Sequence, residues 1–129
     1  MKTVLLVDDS RVTRQIMQVY LIAKDVTLME AADGEEALAA MRRQRPDLVL
    51  ADLRMPRLDG PSLCQAMRDD PALRAIPVII LTGNRDADSL VRCRAAGARE
   101  ILFKPIQPQP LLEAVNRNLA AAADGAGRP

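Results

Sequence analysis

The chain of 129 residues contains no histidine and no tryptophan, and its aromatic residues are Tyr20 and Phe103 alone. Serine-type triads, cysteine–histidine pairs and histidine metal sites are excluded, because each of them requires an imidazole. Base-stacking platforms for single-stranded nucleic acid need several rings, so that class is not expected either. Any chemistry must therefore rely on carboxylates, hydroxyls, lysine or backbone groups.

The sequence also lacks a long apolar segment and an excess of charge. A membrane span needs about 20 apolar residues, and the apolar run before Asp8 is too short even for a signal peptide. The 18 Lys and Arg residues nearly balance the 17 Asp and Glu residues. We therefore expect a cytoplasmic domain that binds neither nucleic acid nor membrane.

Cysteine is scarce as well. Cys64 and Cys93 lie far apart in the sequence and form no CxxC motif. We expect two small buried hydrophobic side chains in a reducing compartment, rather than a disulfide or a redox pair.

Short apolar runs alternate with longer amphipathic stretches. Three of the runs, VLLV, LVL and VIIL, are continuously apolar, which is typical of parallel strands covered on both faces. The pattern predicts strands at residues 3–7, 26–30, 47–51, 78–81 and 100–103. It predicts helices at residues 10–22, 34–43, 61–68, 86–96 and 108–121. Five such βα units predict an α/β fold with one parallel sheet and helices on both faces.

The first predicted helix and the C-terminal residues lead to two further expectations. In the first predicted helix, Val12, Ile16, Val19 and Leu21 roughly follow a helical stripe, which is typical of a face that packs on a sheet. Residues 1–121 form one domain, whereas residues 122–129 are small and unpatterned. We expect the latter to be a flexible tail or the start of a linker.

Polar or ionisable residues stand at the carboxyl ends of four predicted strands. Asp8 and Asp9 follow the first strand, Asp52 the third, Thr82 the fourth and Lys104 the fifth. In an open parallel sheet the functional crevice lies beyond these strand ends. One Asp there could be a helix cap or a turn residue, but four strands that serve one crevice indicate a site.

The chemistry of such a site follows from its charges. Three carboxylates in one crevice repel each other unless a cation joins them, and Mg²⁺ prefers oxygen ligands. An ammonium and a hydroxyl would add little to a site for metal alone. They fit a tetrahedral dianion bound against the metal, such as a phosphoryl group, for which a carboxylate can act as nucleophile. The residues therefore predict metal-assisted phosphoryl transfer.

With these residues in view, the sequence resembles the receiver domains of bacterial two-component response regulators, including the single-domain chemotaxis type. The resemblance covers roughly residues 2–119 and rests on VLLVDDS at 4–10, ADLRMPRLDG at 51–60, ILTG at 80–83, AAGA at 95–98 and FKP at 103–105. It implies a flavodoxin-like, doubly wound (βα)5 fold. The strand order 2-1-3-4-5 comes from the resemblance and not from the residues.

The resemblance implies that Asp52 accepts the phosphoryl group. It also implies that Asp9, Asp52 and the backbone carbonyl of Arg54 bind Mg²⁺ directly, and that Asp8 does so directly or through water. These four residues form the expected metal site.

For the remaining motif residues, the resemblance implies contacts to the phosphoryl group and to the backbone around it. Thr82 would hydrogen-bond one phosphoryl oxygen, and Lys104 would pair with another. The peptide bond before Pro105 would be cis. Gly60 is expected to allow the turn after the third strand, and Gly83 to leave room beside the phosphoryl group.

One position departs from the family pattern. Receivers usually carry Tyr, Phe or His three residues before the lysine, whereas this chain has Ile101. An isoleucine can change rotamer but offers no hydroxyl and fills a different space. We expect phosphorylation to survive without a ring flip. The hypothesis is that a shift of Thr82 and its loop alone alters the face formed by helix four, strand five and helix five.

Arginines around the predicted site leave two alternatives each. Arg54 and Asn84 are expected to border the site, where Arg54 either lies over the phosphoryl group and limits attack by water or is simply solvated. The fourth predicted helix and its surroundings are locally basic, which indicates either a solvated face or a contact for an acidic partner. The residues concerned are Arg85, Arg92, Arg94 and Arg99.

The resemblance implies a phosphorylation-activated switch of a two-component system. It is not an enzyme, except that it catalyses its own phosphorylation and dephosphorylation at Asp52. The donor would be a histidine kinase or a histidine phosphotransfer protein, because this chain has no histidine. It is either a stand-alone receiver that binds a downstream protein, or the receiver of a larger regulator with a DNA-binding or nucleotide-processing effector domain. A phosphorylation-independent scaffold would predict an eroded site, which is not what the sequence has.

Overall fold

The computed structural model describes the backbone of residues 1–126 and the side chains of residues 1–120. Five strands form one parallel sheet in the order β2-β1-β3-β4-β5. Their bounds are β1 Lys2–Val7, β2 Val26–Ala31, β3 Leu48–Asp52, β4 Val78–Thr82 and β5 Glu100–Phe103. The α/β doubly wound, flavodoxin-like fold and the strand order 2-1-3-4-5 are confirmed.

Five helices alternate with the strands. They are α1 Arg11–Leu21, α2 Gly34–Arg43, α3 Gly60–Arg68, α4 Ala87–Ala96 and α5 Pro108–Ala126. The first four agree with the predicted bounds to within one residue, but α5 continues past residue 121 into the predicted tail. Alanine is the strongest helix former, which accounts for the extension through the alanine run. Residues 127–129 lie outside the described part of the chain, so a tail or linker at 122–129 stays a prediction.

Among the described residues, no helix combines the length and the apolar composition that crossing a bilayer requires.

Capping residues fix the starts of four helices. Four helices begin after a residue whose side-chain oxygen accepts the backbone N–H of the residue three positions on. Such a bond satisfies one of the free N–H groups of the first helical turn. The caps are Ser10, Asp33, Asp59 and Asp86. Each of these four helices therefore has a fixed start.

The core lies on both faces of the sheet. In β1, Leu5 and Val7 face one side, which α2, α3 and α4 cover, whereas Val4 and Leu6 face the side that α1 and α5 cover. The three central strands are buried along nearly their whole length. This two-sided burial explains why their sequences are continuously apolar.

The expectation for the buried face of α1 is largely wrong. Val12, Ile16 and Val19 are 63%, 45% and 66% exposed, whereas Met17 and Leu21 contact the core and are 0% and 1% exposed. Successive helical residues are turned by about 100°. The face of α1 that packs on the sheet is therefore displaced by about one residue from the predicted stripe. Leu21 is the one residue of that stripe that is buried.

The two cysteines are free and buried, as expected. Burial raises the pKa of the Cys64 thiol to about 12. Because the thiolate is the reactive form, this side chain behaves as a small hydrophobic residue.

The orientation of α1 gives a direct test by unfolding in urea. Replacing buried Met17 by alanine should lower the free energy of unfolding by about 2–5 kcal/mol, since it removes packed atoms and leaves a cavity. Val19→Ala is the matched control and should change stability by less than about 0.5 kcal/mol. A loss in Val19→Ala as large as that in Met17→Ala would contradict this orientation.

Candidate functional site

The structure brings the predicted site residues to one edge of the sheet. Asp8 directly follows β1, Asp52 and Thr82 are the last residues of β3 and β4, and Lys104 directly follows β5. Asp9 joins them from the start of the β1–α1 connection. Beside them lies a cleft of about 300 Å³, whose lining consists of Asp52, Leu53, Arg54, Thr82, Gly83, Asn84 and Lys104.

Three carboxylates lie close enough to share one cation. One oxygen from each of Asp8, Asp9 and Asp52 lies within 4.8 Å of the others. Asp8 is fully buried, and its Oδ1 accepts the N–H of Ser10 at 2.8 Å. Its Oδ2 is buried without a hydrogen-bond partner among the described residues.

A buried carboxylate oxygen without a partner is costly unless another group satisfies it. Asp8 is one of the three acids of the carboxylate cluster, and carboxylate oxygens are the donors that Mg²⁺ prefers. The residues present therefore fit a divalent cation.

Lys104 is the cation that the chain itself supplies to this cluster. Its Nζ lies 3.0 Å from Asp52 Oδ1 and 3.6 Å from Asp8 Oδ2. Burial lowers the pKa of Lys104, but the hydrogen bond and charge of Asp52 together with the charge of Asp8 outweigh it, and the pKa is raised overall. The ammonium is therefore charged at neutral pH.

The acceptor candidate Asp52 experiences opposed influences. Burial raises its pKa, and the negative charges of Asp8 and Asp9 act in the same direction, while the bond to Lys104 lowers it. The raising effects prevail. The ionised cluster is thus under electrostatic strain that one ammonium does not remove.

Thr82 directs a hydroxyl toward the cleft. It is 2% exposed, and its Oγ1 accepts the N–H of Asn84 at 2.9 Å. The hydroxyl hydrogen has only a long contact of 3.5 Å, to the carbonyl oxygen of Asn84. Thr82 can therefore donate a stronger hydrogen bond to an anion in the cleft.

Gly60 acts at the turn after β3 through close packing. Its conformation is not left-handed; a Cβ there would lie 2.6 Å from the carbonyl oxygen of Asp52, so Gly60 permits the start of α3 to pack against the acceptor. The left-handed residue of the β3–α3 loop is Arg57, with φ 66°. A Cβ on Gly83 would meet open space, so this glycine leaves the cleft open on its side.

Ile101 and Phe103 of β5 have different surroundings. Ile101 is half-buried and packs on the core beneath α2, α3 and α4. The guanidinium carbon of Arg85 lies 4.0 Å from the centroid of the Phe103 ring, a cation–π contact that the sequence does not reveal. The Lys104–Pro105 peptide bond is cis, as the resemblance implies.

Two of the four arginines around α4 therefore have partners within the chain. Arg85 contacts Phe103, and Arg92 donates two bonds to Asp59, at 2.9 and 3.2 Å, and one to Ser62. Arg54 is exposed at the mouth of the cleft, so both alternatives for it stay open.

Comparison with known proteins agrees with this geometry. A model of the response regulator receiver domain family matches residues 4–116. The probable transcriptional regulator ycf27 of Porphyridium aerugineum is 36% identical over 123 residues, which are 95% of this chain and 50% of that protein. The chain thus spans about half the length of this curated relative.

Solved structures give the same result. A putative response regulator from Chloroflexus aurantiacus has a TM-score of 0.88 at 33% identity and covers 92% of this chain and 98% of its own. The receiver domain of sensor histidine kinase PA1611 from Pseudomonas aeruginosa has a TM-score of 0.85 at 31% identity. The match covers 92% of this chain and 98% of that one, and that structure is described with a magnesium ion coordinated in its active-site cleft.

The fold and the acidic cleft define a phosphorylation-activated signalling domain. The chain belongs to the response regulator receiver domain family.

The electrostatic strain at Asp52 predicts a stability effect. Because folding raises its pKa, the ionised carboxylate lowers stability above the ordinary value of 3.8, and this penalty disappears as the pH falls below that value. In metal-free protein at pH 7, Asp52→Asn should therefore raise Tm, by about 3–5 °C if the gain is about 1 kcal/mol. Thermal unfolding followed by circular dichroism measures this shift.

The gain should shrink at acidic pH and in saturating Mg²⁺, which stabilises wild-type protein more than the variant. Exposed Asp88→Asn is the matched control and should not raise Tm. A lower Tm for Asp52→Asn in metal-free protein at pH 7 would show that the Lys104 pair outweighs the repulsion.

Proposed function

We propose that Asp52 accepts a phosphoryl group and that this modification switches the domain between two signalling states. The observation that carries the proposal is the clustering of three carboxylates with an ammonium, beside a cleft that Asp52, Thr82 and Lys104 line. A site for a metal alone would have little use for Lys104 and Thr82, whereas a bound dianion uses both.

In the proposed reaction, a carboxylate oxygen of Asp52 attacks the phosphorus of the donor. A P–O bond forms, and the donor's bond to phosphorus breaks. With a phosphohistidine donor this is a P–N bond, whose electron pair remains on the imidazole. Lys104 pairs with a phosphoryl oxygen, and Thr82 donates its hydroxyl hydrogen to another. Positioning and charge neutralisation supply most of the catalysis of such transfers.

The residues that would hold Mg²⁺ are Asp8, Asp9, Asp52 and the backbone carbonyl of Arg54. When bound, the ion neutralises negative charge on the carboxylates and on the phosphoryl oxygens. Asp8 contributes the buried Oδ2 that otherwise has no hydrogen-bond partner within the described chain. The domain acts on itself alone, in gaining and in hydrolysing the acyl phosphate.

Receiver domains take their phosphoryl group from histidine kinases and act on downstream targets. Since this chain has no histidine, the donor histidine belongs to a kinase or to a phosphotransfer protein. We propose a downstream protein as the target of the α4–β5–α5 face.

A second arrangement is supported by the lengths of the relatives. The chain covers 50% of the ycf27 regulator and 23% of the response regulator PleD of Caulobacter vibrioides. The domain could thus serve as the receiver of a larger regulator whose effector domain binds DNA or processes nucleotides. Reading the native open reading frame past Pro129 separates the two arrangements.

The contacts on the described residues support a route for the signal that needs no aromatic ring at Ile101. Thr82 holds the N–H of Asn84, and the next residue, Arg85, stacks on Phe103. Phe103 lies beside Thr82 in the β4–β5 ladder and directly precedes Lys104. When Thr82 turns its hydroxyl to a phosphoryl oxygen, the β4–α4 loop moves and the Arg85 contact with β5 changes.

Phosphorylation itself is tested with acetyl phosphate and Mg²⁺. Intact-protein mass spectrometry should show a gain of one phosphoryl group that hydroxylamine removes, as expected for an acyl phosphate. The gain should be absent in Asp52→Asn and retained in the control Asp59→Asn, which changes an acid at the far end of the same loop. A gain that persists in Asp52→Asn would place the modification elsewhere and contradict the proposal.

The signal route is tested at Phe103, the one phenylalanine of the chain. Fluorophenylalanine labelling should give a single fluorine NMR resonance that shifts with acetyl phosphate and Mg²⁺, because the guanidinium above the ring moves. The shift should be lost in Asp52→Asn, reduced in Arg85→Ala and retained in Ile101→Ala. A full shift in Arg85→Ala, or its loss in Ile101→Ala, would assign the route to other residues.

A further inference from the structure

The loop between β3 and α3 contains a strained turn. The N–H of Leu58 donates to the carbonyl oxygen of Pro56 at 2.7 Å, across Arg57 with φ 66°. A hydrogen bond between residues i and i+2 around a left-handed residue defines a γ-turn that is rare and strained. Glycine adopts this φ without penalty, but arginine does not. The surrounding contacts must therefore hold Arg57 in place.

Two contacts tie this turn to the start of α2. The Arg57 guanidinium forms an ion pair with Asp33 Oδ2, and the N–H of Gly34 donates to the carbonyl oxygen of Leu58 at 3.1 Å. Asp33 is 1% exposed, and its Oδ1 accepts the N–H of Glu36 at 2.8 Å. Asp33 thus has two separate tasks, because one oxygen caps α2 and the other holds the turn.

The same loop continues the backbone of the phosphoryl-acceptor candidate. It begins directly after Asp52, includes Arg54, and ends at Gly60, whose N–H donates to the carbonyl oxygen of Leu53 at 3.0 Å. Because Gly60 also packs on the carbonyl oxygen of Asp52, the loop is closed at its base. The direction of the Arg54 carbonyl then depends on how the middle of the loop is held.

We propose that Asp33 is a positioning residue for the metal site: through its ion pair with Arg57 it holds the γ-turn, and thereby the Arg54 carbonyl, in the geometry that binds Mg²⁺. The inference rests on the proposed Mg²⁺ site. Asp33 lies outside the carboxylate cluster and acts only through the loop. The backbone hydrogen bond from Glu36 lowers the pKa of Asp33 most, and the hydrogen bond and charge of Arg57 lower it further.

The test measures the Mg²⁺ dissociation constant by chemical-shift titration of backbone amides, without any phosphodonor. Asp33→Asn retains the cap, since asparagine caps helices as well as aspartate does, but loses the ion pair. Arg57→Gln loses the pair from the other side and keeps the strain. Both variants should bind Mg²⁺ about 10-fold more weakly, at the low end of the range for residues that support metal ligands.

Arg57→Gly relieves the strain and should bind Mg²⁺ nearly as the wild type does. In that background Asp33→Asn should have no further effect, because no strained turn remains to be held. Asp86→Asn, which changes the cap of α4 in the same way, is the control for the loss of a capping charge. Circular dichroism spectra verify that each variant is folded.

If Asp33→Asn weakens Mg²⁺ binding equally in wild-type protein and in the Arg57→Gly variant, its effect is a general one of charge or capping. That outcome would overturn the inference. The inference would also fail if Arg57→Gly weakened Mg²⁺ binding as much as Arg57→Gln does. If wild-type protein itself shows no Mg²⁺-dependent shifts, the proposed metal site fails, and that outcome is distinct from a failure of the Asp33 role alone.

Discussion

Repulsion among three carboxylates at one end of the sheet is the constraint on which the rest of the structure depends. Asp8 and Asp52 continue strands whose side chains fill both faces of a close-packed core, so they cannot separate without disturbing it. The ammonium of Lys104 reaches both acids and compensates them in part. The domain therefore keeps an electrostatically unfavourable cluster of carboxylates, which a divalent cation can relieve.

The alternation of strands and helices was predictable because two independent signals agree. The central strands are apolar on both faces, and each of the first four helices follows a capping residue such as Asp33 or Asp86. The candidate site was predictable for a related reason. The carboxyl ends of parallel strands lie at the same edge of a sheet, so the acids that follow β1 and end β3 lie close together. The strand order did not follow from the residues and came from the family resemblance.

Other features depend on tertiary placement that no local pattern encodes. In α1 the predicted stripe of Val12, Ile16, Val19 and Leu21 and the buried Met17 are all apolar, and the sequence does not say which of them face the sheet. The contact of Arg85 with Phe103 joins an exposed loop residue to a partly buried residue of β5. The turn at Arg57 lacks the glycine that usually marks a positive φ, and its contacts with Asp33 and Gly34 come from a distant part of the chain.

The strand order has a mechanical consequence for the site. β1 and β3 are each hydrogen-bonded to strands on both sides, whereas β5 pairs with β4 alone and all four of its residues are only partly buried. Asp8 and Asp52 therefore lie at the ends of interior strands, whereas Lys104 follows the edge strand β5. Displacing β5 disrupts one ladder of hydrogen bonds, whereas displacing β1 or β3 disrupts two. We therefore expect that a change of charge at the site displaces β5 and Lys104 more readily than the strands that carry the acids.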